Sequence, residues 1–160
     1  MGVPFPAMST ELRESIPNRL DALGGLAARV EPFLAGAGVD PETAHAARLA
    51  LEEVGTNLLK YAYRDSREHE IRVVLRVEPS RVILGLEDDG HPFDPKHAPG
   101  PDLDLPIEKR PIGGLGLHLV RQLASGLDYR SSGGWNHLTL HFDRKPTPRV
   151  PPTYPEKTSC

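Results

Sequence analysis

Two stretches of alternating apolar residues, joined by a short turn, restrict the fold more than any other part of the chain. Residues 71–77 read IRVVLRV, "EPS" follows, and residues 82–86 read VILGL. A period of two predicts a hairpin whose strands bury one face of a sheet. A sheet that is apolar on one face needs a second layer, which the rest of the chain has to supply.

Two helices that can form this layer are predicted upstream of the hairpin, because apolar residues recur there at helical spacing. The first runs from about Asn18 to Ala35. The second starts from an Asp40 N-cap with a proline in its first turn and runs to about Tyr63. A short strand over residues 10–16 precedes both helices.

One further helix and a second hairpin are predicted downstream. The helix presents Leu115, Leu119 and Leu123 on one side, and the hairpin turns at "SSGG", residues 131–134. Together these elements predict an α+β fold, a two-layer α/β sandwich with helices on one face of a mixed, mostly antiparallel sheet.

Composition excludes several classes of protein. The 160 residues, 38% hydrophobic and 26% charged, suit one globular domain, and a net charge of −3 argues against general nucleic-acid binding. No apolar run approaches the roughly 18 residues that span a bilayer, and the first ten residues lack a signal-peptide pattern, so we expect a cytoplasmic protein without membrane contact. The only cysteine is Cys160, which leaves no internal disulfide and no cysteine metal cluster.

Two segments are expected to lie outside the packed core. Residues 145–160 contain five prolines and few residues to bury, so we expect a disordered Pro-rich tail after a folded domain over residues 8–144. The long irregular segment 91–113 separates the first hairpin from the third helix, and a loop of this length is expected to be a mobile lid.

Polar residues interrupt the second helix in the motif "EEVGTN", residues 52–57. Glu53 and Asn57 lie four apart and therefore on one helix face, about 100° from the apolar stripe. A carboxylate and an amide oxygen on one face suit a cation such as Mg²⁺ or a water beside a phosphate. The alternative is an ordinary solvated helix edge.

A second motif is "LEDDGHPFDP", residues 86–95, where the strand alternation turns Asp88 inward and Gly90 follows. A buried carboxylate needs a donor, and the exocyclic amino group of a purine could supply one, with glycine letting the ring approach the backbone. The alternative is an Asp-Gly turn that closes a strand.

The third motif is "RPIGGLGLHLVRQLAS", residues 110–125, a glycine-rich turn that runs into a helix. Backbone N–H groups and the positive end of the helix dipole make such a turn a phosphate cradle. It matches neither a Walker loop nor a Rossmann fingerprint, and a flexible hinge is the alternative. In this order, the three motifs describe three walls of one nucleotide site.

The three motifs resemble the N box, G1 box and G2 box of the GHKL ATPase superfamily, which has the Bergerat fold. The short single-domain form and the "PFDP" ending resemble the anti-sigma-factor serine/threonine kinases and anti-sigma regulatory factors of bacterial partner-switching systems. The resemblance implies ATP and Mg²⁺ as cofactors. It also implies phosphorylation of a STAS-domain anti-anti-sigma factor on serine or threonine, and binding of a sigma factor, often as a homodimer.

The resemblance assigns roles to the matching residues. It implies Glu53 as the catalytic carboxylate and Asn57 as the Mg²⁺ ligand, with Lys60 near the phosphates. Asp88 is implied to accept a hydrogen bond from the adenine amino group, with Gly90 beside it. The lid and the phosphate cradle are implied at Gly113, Gly114, Leu115, Gly116 and Leu117.

Two alternatives to a kinase stay open. The chain could bind ATP and sequester a sigma factor or another regulator without turning ATP over. Tyr61 stands where the family usually has histidine, which leaves the role of that position open.

The other alternative to a kinase is a histidine metal site on one strand face or in one loop. Its candidate ligands are His137 and His141 on the strand, and His91, Asp94 and His97 in the loop.

Overall fold

The computed structural model shows a sheet covered on one face by helices and describes residues 10–96, 104–106, 108 and 114–146. The side chains of residues 114 and 115 are outside this description. The predicted tail from residue 147 onward and most of the predicted lid, including Gly113, also lie outside the described residues.

Five strands form the sheet. They are β1 (Thr10–Pro17), β2 (Glu70–Val77), β3 (Arg81–Asp88), β4 (Gly126–Ser132) and β5 (Trp135–Asp143), in the spatial order β1-β2-β3-β5-β4. The predicted two-layer α+β sandwich is confirmed, and all four pairings between the described strands are antiparallel. The strand order puts β3, which ends at Asp88, in the middle of the sheet.

The predicted hairpins are both present. In the first, the alternating residues of β2 and β3 are buried as their spacing predicts: Ile71, Val73, Leu75, Val77, Val82, Leu84 and Leu86. The second hairpin turns at Gly133 and Gly134, whose φ angles are +62° and +81°. A two-residue turn of this kind needs positive φ at both positions, which glycine adopts without strain.

Three α-helices cover the apolar face of the sheet. They are α1 (Leu20–Gly36), α2 (Pro41–Asn57) and α3 (Gly114–Leu123). The Asp40 N-cap of α2 is confirmed, since its Oδ1 accepts a hydrogen bond from the backbone N–H of Thr43 at 2.9 Å. None of the described helices is long and apolar enough to cross a membrane.

The end of α2 differs from the prediction of one helix as far as Tyr63. The α-helix ends at Asn57, and Leu58–Ala62 forms a π-helical turn. Apolar spacing could not reveal this change, because a shift from i+4 to i+5 bonding over five residues leaves no periodic signature. The direction of Lys60 therefore does not follow the 3.6-residue period, and its side chain is exposed.

The buried side of α3 also differs from the prediction. Leu123 is 37% exposed and Leu119 is only half-buried, whereas Leu117 and Val120 are buried. The predicted stripe is wrong because Gly116 lets α3 approach α2 with its glycine side, which turns the Gly116 and Val120 positions inward.

Candidate nucleotide-binding site

Glu53 and Asn57 lie on one face of α2, as their four-residue spacing predicts. Both are half-buried, whereas Val54 between them is buried in the core. Neither side chain has a hydrogen-bond or ion-pair partner within the described part of the chain. Glu52 differs, because its Oε1 accepts a hydrogen bond from Arg48 Nη1 at 2.7 Å. The acid-amide pair is therefore available to a ligand, and Glu52 is not.

The first turn of α3 contacts the Glu53 carboxylate. A Cβ atom on Gly116 would collide with Glu53 Oε2 and would lie 2.7 Å from Glu53 Cδ. Any larger residue at position 116 would displace the Glu53 carboxylate from its present position. The first turn of α3, whose N–H groups have no acceptor within the helix itself and whose dipole end is positive, therefore lies beside the carboxylate and favours negative charge nearby.

Asp88 is the buried carboxylate that the strand alternation predicts, with 4% of its surface exposed. Its Oδ1 accepts hydrogen bonds from the Gly90 N–H at 2.8 Å and from Asn136 Nδ2 at 3.0 Å. Its Oδ2 accepts none from the described residues. Burial raises the pKa of Asp88 above its ordinary value, although both donors oppose this shift. One carboxylate oxygen is thus held by the protein, and the other is left for a ligand's donor.

The turn after Asp88 is attached to the end of the π-helical turn. A Cβ atom on Gly90 would lie 2.7 Å from Ala62 Cβ and 2.9 Å from both Ala62 O and Asp88 Oδ1, so no larger residue fits. The His91 N–H donates to Ala62 O at 2.7 Å. These contacts bring the Asp88 turn to the C-terminal end of the helix that carries the acid-amide pair.

The helix fixes the distance between the two ends of the site. Ala62 lies nine positions after Glu53, which would correspond to about 13 Å if the α-helical rise of 1.5 Å per residue continued through the π-helical turn. This span is comparable to the length of an extended nucleoside triphosphate. Asn57 lies between the two ends.

Asn136 belongs to this site, and the sequence analysis does not predict it. The residue is 4% exposed and lies directly opposite Asp88 in the β3–β5 pairing. Its Nδ2 donates to Asp88 Oδ1 and to Gly90 O, at 3.0 and 2.9 Å, and its Oδ1 accepts from the Tyr129 hydroxyl at 3.0 Å. The period-two alternation of β5 was the available signal, since it turns residue 136 inward.

One histidine, His69, contacts two carboxylates beside the same turn. His69 stacks on Tyr63, with ring centroids 4.4 Å apart. Its Nε2 lies 2.8 Å from Asp65 Oδ1 and its Nδ1 lies 3.0 Å from Asp89 Oδ1. These hydrogen bonds, above all the one to Asp65, raise the pKa of His69, because two carboxylates favour the imidazolium. The contact with Asp89 connects His69 to the residue next to Asp88.

The remaining predicted site residues give a mixed picture. Gly114 begins α3 as the phosphate cradle requires, whereas the Leu117 side chain is buried. Gly113 and the Leu115 side chain lie outside the described residues. Within the described residues, no group of three or more His, Cys, Asp or Glu could hold a metal, so the histidine alternative finds no support there; His97 lies outside them.

All three motifs fall inside a match to a known family. Residues 16–142, most of the chain, match the sequence profile of the histidine kinase-like ATPase domain. The chain belongs to the histidine kinase-like ATPase family. The resemblance on which the sequence analysis relied is therefore confirmed.

Two curated histidine kinase-like relatives are named as kinases. "Serine/threonine-protein kinase BtrW" of Bordetella bronchiseptica is 34% identical over 92 residues, which cover 58% of this chain and 65% of the relative. "Serine-protein kinase RsbW" of Bacillus thuringiensis is 29% identical over 99 residues, which cover 59% of this chain and 61% of the relative. The chain thus spans less than two thirds of the length of either kinase.

A solved structure shares the fold of this ATPase family member. The crystal structure of the RsbU and RsbW domains of a Mycobacterium tuberculosis protein aligns with a TM-score of 0.61 and 17% identity. The alignment covers 84% of this chain and 32% of that chain. At this identity the likeness concerns the fold alone.

Proposed function

We propose that the chain is a protein serine/threonine kinase that transfers the γ-phosphoryl group of Mg·ATP to a STAS-domain anti-anti-sigma factor. The contact between the Glu53 carboxylate and the first turn of α3 carries this proposal. In this proposal Glu53 would be the base for the attacking hydroxyl and the start of α3 would bind phosphate, and phosphoryl transfer requires these two groups to lie close together. The names of the two curated relatives support the same activity.

The Asp88 turn would bind the adenine. Asp88 Oδ2, which has no partner among the described residues, would accept a hydrogen bond from the exocyclic amino group. Gly90 has no side chain to keep the purine from the backbone. A base with a carbonyl at the same position would face this carboxylate with an acceptor, so the turn selects adenine.

The residues between the Asp88 turn and α3 would bind the triphosphate. Asn57 would hold Mg²⁺, because its amide oxygen, which has no partner within the described part of the chain, is the kind of hard ligand that this ion prefers. When bound, the ion neutralises charge on the phosphates. Lys60 is exposed on the π-helical turn and would add positive charge at the same rim. The N–H groups at the start of α3 would bind phosphate oxygens.

Glu53 would act as the general base. It accepts the proton of the serine or threonine hydroxyl as the hydroxyl oxygen bonds to the γ-phosphorus. The bond from that phosphorus to the β–γ bridging oxygen breaks, and ADP leaves. The half-buried position of Glu53 leaves it reachable by a hydroxyl on a partner protein.

The proposal includes partner switching. The same chain would bind and inhibit a sigma factor in the cytoplasm, as a homodimer, and would release it when the STAS-domain protein is not phosphorylated. Neither nucleic acid nor a membrane is a direct partner in this scheme.

Phosphate transfer to a co-encoded STAS-domain protein tests the proposal. With γ-labelled ATP and Mg²⁺, we expect label on serine or threonine of that protein, and its loss in Asn57→Ala. ATP binding without any transfer would contradict the kinase and favour an ATP-binding module that sequesters its regulator. Absence of ATP binding would contradict both.

A further inference from the structure

Asn136 is a buried amide whose three hydrogen bonds fix its orientation. Nδ2 faces two acceptors, Asp88 Oδ1 and Gly90 O, and Oδ1 faces the Tyr129 hydroxyl. In the reverse orientation an amide oxygen would face both acceptors, which burial makes costly. The network therefore determines which end of the amide faces Asp88.

We propose that Asn136 is a positioning residue for adenine recognition, which holds the Asp88 carboxylate in the one orientation that leaves Oδ2 for the purine amino group. This inference rests on the proposed ATP site. The donors from Gly90 and Asn136 converge on Oδ1 from the turn and from strand β5. Because both bonds go to the same oxygen, a rotation of the carboxylate out of its plane would break both, and a half-turn would only exchange two equivalent oxygens.

Tyr129 holds the other end of the Asn136 amide, its Oδ1 atom. The Tyr129 hydroxyl donates to Asn136 Oδ1 and accepts from the Phe93 N–H, each at 3.0 Å. The chain is thus tied to the same amide at two points, directly at Gly90 O and through Tyr129 at Phe93. Asn136 on β5 thus attaches the adenine-binding turn to the sheet.

Asn136 also keeps Asp88 able to accept. Burial raises the pKa of Asp88, the neighbouring Asp89 adds to this shift, and the Asn136 and Gly90 donors oppose it together with His137. The buried Tyr63 hydroxyl, whose pKa is raised by burial and by the charges of Asp88 and Asp89, has no hydrogen-bond partner among the described residues. Without the Asn136 donor, the pKa of Asp88 rises further, and a protonated Asp88 presents a donor to the adenine amino group.

Asn136→Leu, close in shape and without the amide, tests the inference. Dissociation constants of Mg·ATP and Mg·ITP, which has a carbonyl instead of the amino group, are measured for the wild type and the variant by calorimetry. We expect the preference for ATP over ITP to fall about tenfold, the loss of one hydrogen bond to a charged acceptor. We also expect it to recover as the pH is raised, because Asp88 then ionises.

Two further variants keep the test decisive. Thr139→Val on the same strand but on the uncovered face of the sheet should leave the preference unchanged. Tyr129→Phe removes the hydroxyl that donates to Asn136 Oδ1 and accepts from the Phe93 N–H, and leaves the Asn136 bonds to Asp88 and Gly90 in place. It should lower the preference about twofold, and it tests the inference if Asn136→Leu fails to fold.

The outcomes separate the inference from the proposed function. If the wild type itself does not prefer ATP, the adenine assignment of Asp88 is wrong. If the wild type prefers ATP, and both nucleotides weaken equally in Asn136→Leu with no recovery at higher pH, Asn136 is only structural and the inference is overturned. An unchanged preference in Tyr129→Phe would overturn it where Asn136→Leu does not fold.

Discussion

Replacing Asp88 by asparagine should reverse the nucleotide preference of the chain without unfolding it. The amide has the size and shape of the carboxylate. Its oxygen can take the place of Oδ1 and keep both protein hydrogen bonds, from the Gly90 N–H and from Asn136 Nδ2. Those two donors then force the new NH₂ group into the place of Oδ2. A donor replaces an acceptor at the position that the adenine amino group would face.

The magnitude follows from the bond that is lost. A hydrogen bond to a charged group contributes about 1.5–3 kcal/mol, so ATP should bind about 10- to 150-fold more weakly. ITP carries a carbonyl at this position and gains a neutral bond of about 0.5–1.5 kcal/mol, which is about 2- to 13-fold tighter binding.

The unfolding free energy of Asp88→Asn provides an internal check. Because burial raises the folded-state pKa of Asp88, the wild type loses stability as the pH rises from the ordinary aspartate range through this raised value. Asparagine has no such dependence. The unfolding free energy of Asp88→Asn, measured by urea denaturation without nucleotide, should therefore increase relative to that of the wild type as the pH rises.

Calorimetric titration of the variant with Mg·ATP and Mg·ITP measures the preference. A folded Asp88→Asn protein that binds ATP as tightly as the wild type would refute the reasoning, since the oxygen left for the ligand would then be irrelevant. Equal weakening of ATP and ITP would refute it as well, because it would indicate general damage.

Three other substitutions test separate parts of the account. Gly116→Ala drives a methyl group into the Glu53 carboxylate and should lower kcat about a hundredfold while ATP still binds, as steady-state kinetics would show. Gly25→Ala is the control, because its methyl group meets open space on α1, and it should raise the unfolding free energy by about 0.5–1 kcal/mol in thermal melts. If Gly25→Ala lost as much activity as Gly116→Ala, the loss in Gly116→Ala could not be attributed to the contact with Glu53. The raised pKa of His69 stabilises the fold at low pH, and this stabilisation is lost as the pH rises from about 6.5 through the raised value; denaturation curves of His69→Gln should lack this loss.

Local patterns predicted much of the fold and one half of the site. The alternation of β3 could predict an inward Asp88 because a period of two continues to the strand's last residue. The spacing of Glu53 and Asn57 predicts a shared face for the same reason, since α2 stays α-helical up to Asn57. Both predictions needed only the geometry of a single element.

Contacts between elements could not be predicted in this way. The Asn136 hydrogen bonds depend on the β3–β5 register, which the chain closes only after the third helix. The approach of Gly116 to Glu53 depends on the packing of α3 on α2, and the glycine-rich motif alone is equally compatible with a hinge. The π-helical turn is a local feature of five residues, but no periodic pattern in the sequence indicates it.

Phosphoryl transfer by Glu53→Gln, with Glu52→Gln as the matched control, is the most direct test of Glu53 as the general base. The two residues are neighbours on α2, but Glu52 is paired with Arg48 and only Glu53 meets the start of α3. At saturating Mg·ATP and STAS-domain protein, the account predicts a rate loss of about 10²- to 10⁴-fold for Glu53→Gln, with ATP still bound, and near wild-type transfer for Glu52→Gln. Undiminished transfer in Glu53→Gln, or equal loss in both variants, would contradict it.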